Sequence, residues 1–388
     1  MLLVNVVENM EIKSMADESL IKIDKPEEEV DDAYSNDDLF KISSWGADLS
    51  FRELIARYDD NELIKPELQR HYVWDRVEAS RFIDSVLLGL PVPSIFLAKT
   101  SEEKLLIIDG YQRIMTVRDF VKGVFSDDNT QFVLSNSKRI NERWRGKSFA
   151  QLSEEEKRKI RNTTIHAIIF MQQHPAKGDT SMYQVFERIN TSGRSLLPQE
   201  IRNCVYQGPL NTLLFELNEN KKWRAMWGDE NRDSRMRDLE LILRFFALSD
   251  DYILKSDDAP YNISLKKYLN EYMGEHNVPS EIDGMREKFK RTIDFVYANF
   301  GETAYHNISP SDSTKYILNL SSTVFDAVMI ASWKVVLEGF PARSPQEYQK
   351  LKMEVLRDES YQKILSQETM RSANIRRRVN DMFAALRG

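Results

Sequence analysis

The sequence predicts a domain of mixed strands and helices, α/β or α+β, followed by a mostly helical domain. Three observations predict it. Residues 76–123 read as helix, strand, strand, turn, helix. After Gly208 and Pro209, apolar residues recur at helical spacing almost to the end. The 388 residues, 41% hydrophobic and 30% charged, are ordinary for a globular chain and enough for two cores.

Taken in order, Leu49, Leu54, Ile55 and Tyr58 recur at helical spacing behind Asp48 and Ser50 as caps, and predict a short helix. A helix over 76–88 carries Ala79, Phe82, Ile83, Val86 and Leu87 on one face, and Gly89 stops it. Pro91 and Pro93 force an extended exit, and 94–98 and 104–108 read as strands. Asp109-Gly110 between apolar runs is also a hairpin signal. A strand after it would put Arg113 on the face of Met115 and Val117, whereas a helix gathers Ile114, Val117, Phe120 and Val121 into one stripe ended by Gly123. The helix is the better reading. Residues 137–163 are basic loop and helix, 165–170 a strand, 183–189 a helix, and a further helix opens near Pro198 and runs to Tyr206. Helices follow over 239–248, 265–273, 282–300, 324–337 and 374–386.

Composition excludes several classes. One cysteine, Cys204, leaves no internal disulfide and no zinc site built on paired cysteines, which fits a reducing compartment. The N-terminus lacks a basic flank and is interrupted by Glu8 and Glu11, and no apolar run approaches the roughly 20 residues of a membrane span. A cytoplasmic protein is expected. Residues 1–40 hold twelve acids against three bases, leaving 51 bases and 49 acids in the rest, so the net charge of −7 belongs to an acidic leader. That leader has too little apolar content to fold alone. The expected domains are 1–40 (disordered leader), 41–206 and 207–388.

A strand ending in Asp-Gly and followed by a helix offers backbone N–H groups and the positive end of a helix dipole to an anion. Gly110 permits close backbone approach, Arg113 can fork onto phosphate oxygens, and Asp109 can hold Mg2+ or orient water.

Four segments then stand in register: Leu68-Gln69-Arg70-His71-Tyr72-Val73-Trp74, Leu88-Gly89-Leu90-Pro91-Val92-Pro93-Ser94-Ile95, Ile108-Asp109-Gly110-Tyr111-Gln112-Arg113, and Phe186-Glu187-Arg188-Ile189-Asn190-Thr191-Ser192-Gly193. In order and spacing they resemble the N-terminal domain of GmrSD-type restriction proteins, over residues 43–250. The resemblance implies an α+β fold similar to ParB and sulfiredoxin. It implies binding and hydrolysis of a nucleoside triphosphate with Mg2+, coupled to DNA cleavage in phage defence. Carried over by position, Asp109, Gln112 and Arg113 are the catalytic candidates, Asp109 also the metal ligand, and Gly110 and Tyr111 line the nucleotide. Arg70 would supply a second phosphate contact, Trp74 would anchor the following helix, and Asn190 and Thr191 match the second polar motif. Tyr111 stands where the family has glutamine, which puts hydrolysis in question more than binding.

Many relatives continue into an HNH nuclease, which needs clustered histidines. His71, His166, His174, His276 and His306 are scattered, so no HNH nuclease is expected. DNA cutting would fall to a separate nuclease subunit, and self-association is left open. Two basic stretches are the candidate DNA contacts: Arg143, Arg145 and Lys147 around Trp144, and Arg376, Arg377 and Arg378 on the last helix. The leading expectation is an NTPase component of a DNA-targeting defence system. The alternatives are a nucleotide-gated binding module that does not hydrolyse, and a weak nuclease in its own right.

Overall fold

The computed structural model describes residues 23–24, 42–65, 74–100, 103–126, 128–172, 181–189 and 197–388. Two compact units form, one of residues 34–207 and one of residues 1–33 with 208–388. Of the acidic leader only β1 (Ile23–Asp24) is described, and it belongs to the second unit. The motif residues Arg70, Asn190 and Thr191 lie outside the described residues.

The first unit is α+β. Its strands are β2 (Ile42–Ser50), β3 (Leu63–Ile64), β4 (Ile95–Lys99), β5 (Leu105–Asp109), a small hairpin of β6 (Val124–Phe125) and β7 (Thr130–Gln131), and β8 (Thr164–Gln172). Five of them make one mixed sheet in the order β2-β8-β4-β5-β3, with β8 parallel to β4, β3 parallel to β5, and the other pairs antiparallel. Its helices are α1 (Phe51–Asp59), α2 (Arg76–Leu88), α3 (Tyr111–Lys122), α4 (Glu154–Asn162), α5 (Ser181–Ile189) and α6 (Pro198–Val205).

Local chemistry sets the ends of these helices. Asp75 caps α2 by accepting from the N–H groups of Val77 and Glu78, Glu78 returns the bond to the Asp75 N–H, and Gly89 ends the helix at φ +80°. Ser50 caps α1, so the expected helix begins only at Phe51. Leu49 instead lies on β2, a strand the sequence pattern did not announce. Its outward residues Ser44, Gly46 and Asp48 are polar or small, and it is held by pairing along its whole length with β8. Ala47 and Leu49 turn inward to meet Leu54, Ile83, Val86, Ile95, Leu97, Ile107, Ile114, Val117, Phe120, Ala167 and Ile169 in one core. Each large apolar side chain sunk there contributes about 1.5–3 kcal/mol relative to exposure. That core holds the end of β5 and the start of α3 in place.

The second unit is mostly helical. It comprises α7 (Pro209–Asn218), α8 (Lys221–Trp227), α9 (Arg237–Leu248), α10 (Asp251–Lys255), α11 (Leu265–Glu275), α12 (Ile282–Phe300), β9 (His306–Ile308), β10 (Tyr316–Ser321), α13 (Ser322–Glu338), α14 (Pro345–Arg357), α15 (Glu359–Ser366) and α16 (Ser372–Arg387). The uninterrupted helical pattern expected here is broken by β9 and β10, and β10 pairs parallel with β1 through Leu320 opposite Ile23. Trp223 sits fully buried among Phe289, Tyr305 and Phe325. Beneath α13, Asp326 binds two buried arginines, Arg244 at 2.8 Å and Arg378 at 3.0 Å.

Candidate functional site

The turn from β5 into α3 is built from inside the sheet. Phe96 pairs with Asp109 at the end of β5, and the chain then reverses at Gly110 with φ +99°. Two constraints require glycine there. The backbone is left-handed, and a Cβ would overlap the Cγ2 of Ile95 and lie 2.9 Å from its Cβ. The absent side chain therefore makes room for the core residue Ile95, where the sequence suggested room for a ligand. No side chain caps α3. Its first turn carries the partial positive charge of the helix end.

Arg113 lies one helical turn beyond Asp109, and the two form an ion pair. Its other terminal nitrogen donates to the carbonyls of Pro93 and Ser94, both at 2.9 Å. The guanidinium is thus 13% exposed and clamps the strand end, the turn and the Pro93-Ser94 segment together. The Asp109 side chain stays 48% exposed, with Oδ2 toward Arg113. Gln112 reaches back to the first motif, its Oε1 accepting from the Trp74 N–H at 3.4 Å. Trp74 packs on Phe82 of α2, consistent with an anchor for that helix.

Tyr111 turns toward α1. Burial, with the neighbouring Tyr58 hydroxyl, pushes its phenol well above the ordinary value, so it stays protonated. The ammonium of Lys65 stands 5.8 Å from the centre of the Tyr111 ring. Lys65 is an exposed cation beside the α3 N-terminus that the sequence reading missed. Its chain position, 46 residues before Tyr111, carried no signal; only the parallel pairing of β3 with β5 brings it near.

The family comparison agrees with the motifs. Residues 51–207 match the description "GmrSD restriction endonuclease, N-terminal domain". Those residues belong to the GmrSD N-terminal domain family. The match spans α1 to α6 and includes the whole turn at Asp109 to Arg113. The family description names a restriction endonuclease. No curated protein and no solved structure gives a significant match.

The structure separates the arginines proposed for DNA contact. In the GmrSD domain, Arg143 is exposed, pairing through Nε with Glu156 at 3.1 Å, while Arg145 is spent on the carbonyl of Ile140 at 2.7 Å. Lys147 is half-buried near the Glu156 carboxylate, which hydrogen bonds from Ser153, with help from Arg143 and Lys147, hold below the ordinary carboxylate range. In the second unit, Arg377 is exposed and bonds Asp381 and Ser360, and Arg376 donates to the carbonyls of Ile253 and Ser256. Arg378 is fully buried against Asp326 and donates to the Thr369 carbonyl, which corrects its assignment to a DNA-facing surface. A signal existed: Ile375, Arg378, Val379 and Met382 share one face at helical spacing, and that face is the buried one. Among the described residues, no three His, Cys, Asp or Glu side chains cluster as a metal site, and no helix is long and apolar enough to cross a membrane.

Proposed function

We propose that the GmrSD domain binds a nucleoside triphosphate at the N-terminus of α3 and that the chain uses it within a DNA-directed restriction or defence system. The observation carrying this is the Asp109 to Arg113 turn: an uncapped helix N-terminus, a half-exposed carboxylate and a nearby exposed lysine, held rigid by the Arg113 clamp. First-turn N–H groups and the Lys65 ammonium are the donor set a polyphosphate needs. Mg2+ keeps several waters and takes most of its ligands from phosphates, so one protein carboxylate suffices and Asp109 offers it. The ion would offset charge on the phosphates. Gln112 would orient a polar group above the turn. Arg113 is a positioning residue here, because its nitrogens already face Asp109, Pro93 and Ser94.

The test is equilibrium binding of ATP, GTP, CTP and UTP with Mg2+ to the full chain, beside Lys65→Ala and Gln112→Ala. Lys65→Ala should weaken the preferred nucleotide about tenfold or more, the loss expected for one charge-assisted bond. Absence of binding by all four nucleotides refutes the proposal, as does equal binding by the variants.

The Asp109–Arg113 pair favours a second reading within the same site. Residues that hold each other shape the turn, so the domain would act as a nucleotide gate. Phosphate release measured with and without DNA separates the two: sustained release is hydrolysis, and binding without release is a gate.

A further inference from the structure

The stretch 138–161 carries nine bases against four acids and contributes nothing to the turn at Asp109. Its shape comes from two buried anchors. Ile140 and Trp144 are sunk in the core of the GmrSD domain, and Trp144 Nε1 donates to the buried Asp84 carboxylate of α2 at 2.5 Å. The same carboxylate accepts the Asn141 N–H at 3.1 Å, and Val133 bridges Ser148 to close the loop at its base. Backbone bonds from Leu134 to the Lys147 carbonyl and from Gly146 to the Leu134 carbonyl complete the closure. The loop is therefore held at its centre and its ends, and its exposed rim carries Lys138, Arg139 and Arg143.

Helix α4 continues that rim. Arg143 bridges from the loop to Glu156 on its first turn, and Arg161 lies 5.1 Å over the ring of Phe149 at the end of the loop. Arg158 and Lys159 are exposed on α4, and the ammonium of Lys159 lies beside Gly89 at the end of α2. Lys157 pairs with Glu154, whose carboxylate also feels the charges of Arg161 and Arg158, whereas Lys138, Arg139 and Lys159 have no acidic partner among the described residues. On this closed, anchored loop and the helix packed beside it, the exposed cations Lys138, Arg139, Arg143, Arg158 and Lys159 outnumber the exposed acids Glu142, Glu154 and Glu155, a net positive field with little ordering entropy left to lose on binding.

We infer that this rim is a sequence-independent docking surface for the phosphate backbone of duplex DNA, formed by Lys138, Arg139, Arg158 and Lys159. Arg145 and Lys147, which the sequence pointed to, shape the loop from inside it. Asp84 and Trp144 are positioning residues. They add no charge to the DNA but fix where the cations stand. The inference deepens the DNA-directed reading above and is independent of nucleotide binding at Asp109 to Arg113.

The experiment is fluorescence anisotropy of a labelled 25-base-pair duplex of arbitrary sequence, titrated with the full chain across salt concentrations. The wild type should bind at low salt with an affinity that falls steeply as salt rises. The variant Lys138→Ala/Arg139→Ala/Arg158→Ala/Lys159→Ala should bind more weakly, with a log–log salt slope shallower by roughly 3 to 4, about 0.9 per phosphate contact removed. Trp144→Phe keeps every charge but removes the bond to Asp84 and part of the ring that packs in the core and under Arg143, so its salt slope should match the wild type while its affinity drops severalfold. A quadruple variant with unchanged slope, or a wild type that does not bind the duplex at low salt, overturns the inference. Nucleotide binding by the quadruple variant, measured alongside, should be unchanged, so loss of one activity is distinguishable from loss of the other.

Discussion

Replacing Lys352 with methionine isolates one charge in the core of the second unit. Lys352 is fully buried on α14, its ammonium donating to the carbonyls of Thr303 at 2.6 Å and Ala304 at 2.8 Å and standing 4.5 Å from the centre of the Tyr316 ring. No carboxylate pairs with it among the described residues, and burial lowers its pKa from 10.5 to about 7. Between those values the unfolded chain holds a proton that the folded chain does not. Stability therefore rises with pH through this window, by about 1.4 kcal/mol per pH unit for one proton. The whole shift corresponds to about 5 kcal/mol as an upper figure. Below pH 7 both states are protonated and the cost of the buried charge is fully present. Lys352→Met removes the titration and leaves a pH-independent offset from two unsatisfied carbonyls. Unfolding free energies from urea titrations of the full chain, read by intrinsic tryptophan fluorescence, should show the wild type gaining on the variant by about 3 kcal/mol from pH 7.5 to 9.5. His306 titrates below that window because burial lowers it, and Lys288, lowered to about 8, is common to both proteins and cancels. Parallel pH curves for the two proteins would refute the argument.

Three further outcomes follow from the two cores. Gly110→Ala combines a left-handed backbone with overlap on Ile95 and should cost about 2–4 kcal/mol in thermal unfolding, with loss of nucleotide binding. Arg113→Ala frees Asp109 and two carbonyls; a loss of about 1–3 kcal/mol is expected, and Arg113→Lys should recover part of it because one ammonium cannot replace the forked contacts. Asp326→Asn leaves Arg244 and Arg378 buried without their counter-charge and should destabilise the second unit by about 3–5 kcal/mol, measured by chemical denaturation.

Local signals account for what was legible. α2 was visible through its apolar face and its Gly89 stop, which act within a turn of their own helix, and α3 because it lies between Gly110 and Gly123. In the second unit, α12 runs from Ile282 to Phe300 as its apolar spacing predicted. β2 was hidden because its outward residues are polar and its stability comes from β8, more than a hundred residues away. The motif at Asp109 to Arg113 was recognisable as a turn of a family, yet its internal chemistry was not. The spacing of Asp109 and Arg113 suggested two groups facing a ligand; the fold makes them face each other and gives Arg113 the carbonyls of Pro93 and Ser94.

By itself, the sequence determined the mixed first domain, the helical second one, the GmrSD motifs and the strand-to-helix turn, because periodicity, caps and glycines act over a few residues. Tertiary structure decided which charges are available. Lys65 came beside Tyr111 through strand pairing, Arg378 went under α13 to Asp326, and Trp144 tied a basic loop to Asp84. The physical reason is that the cost or value of a charge depends on its burial and its partner, and both are set by residues distant in the chain.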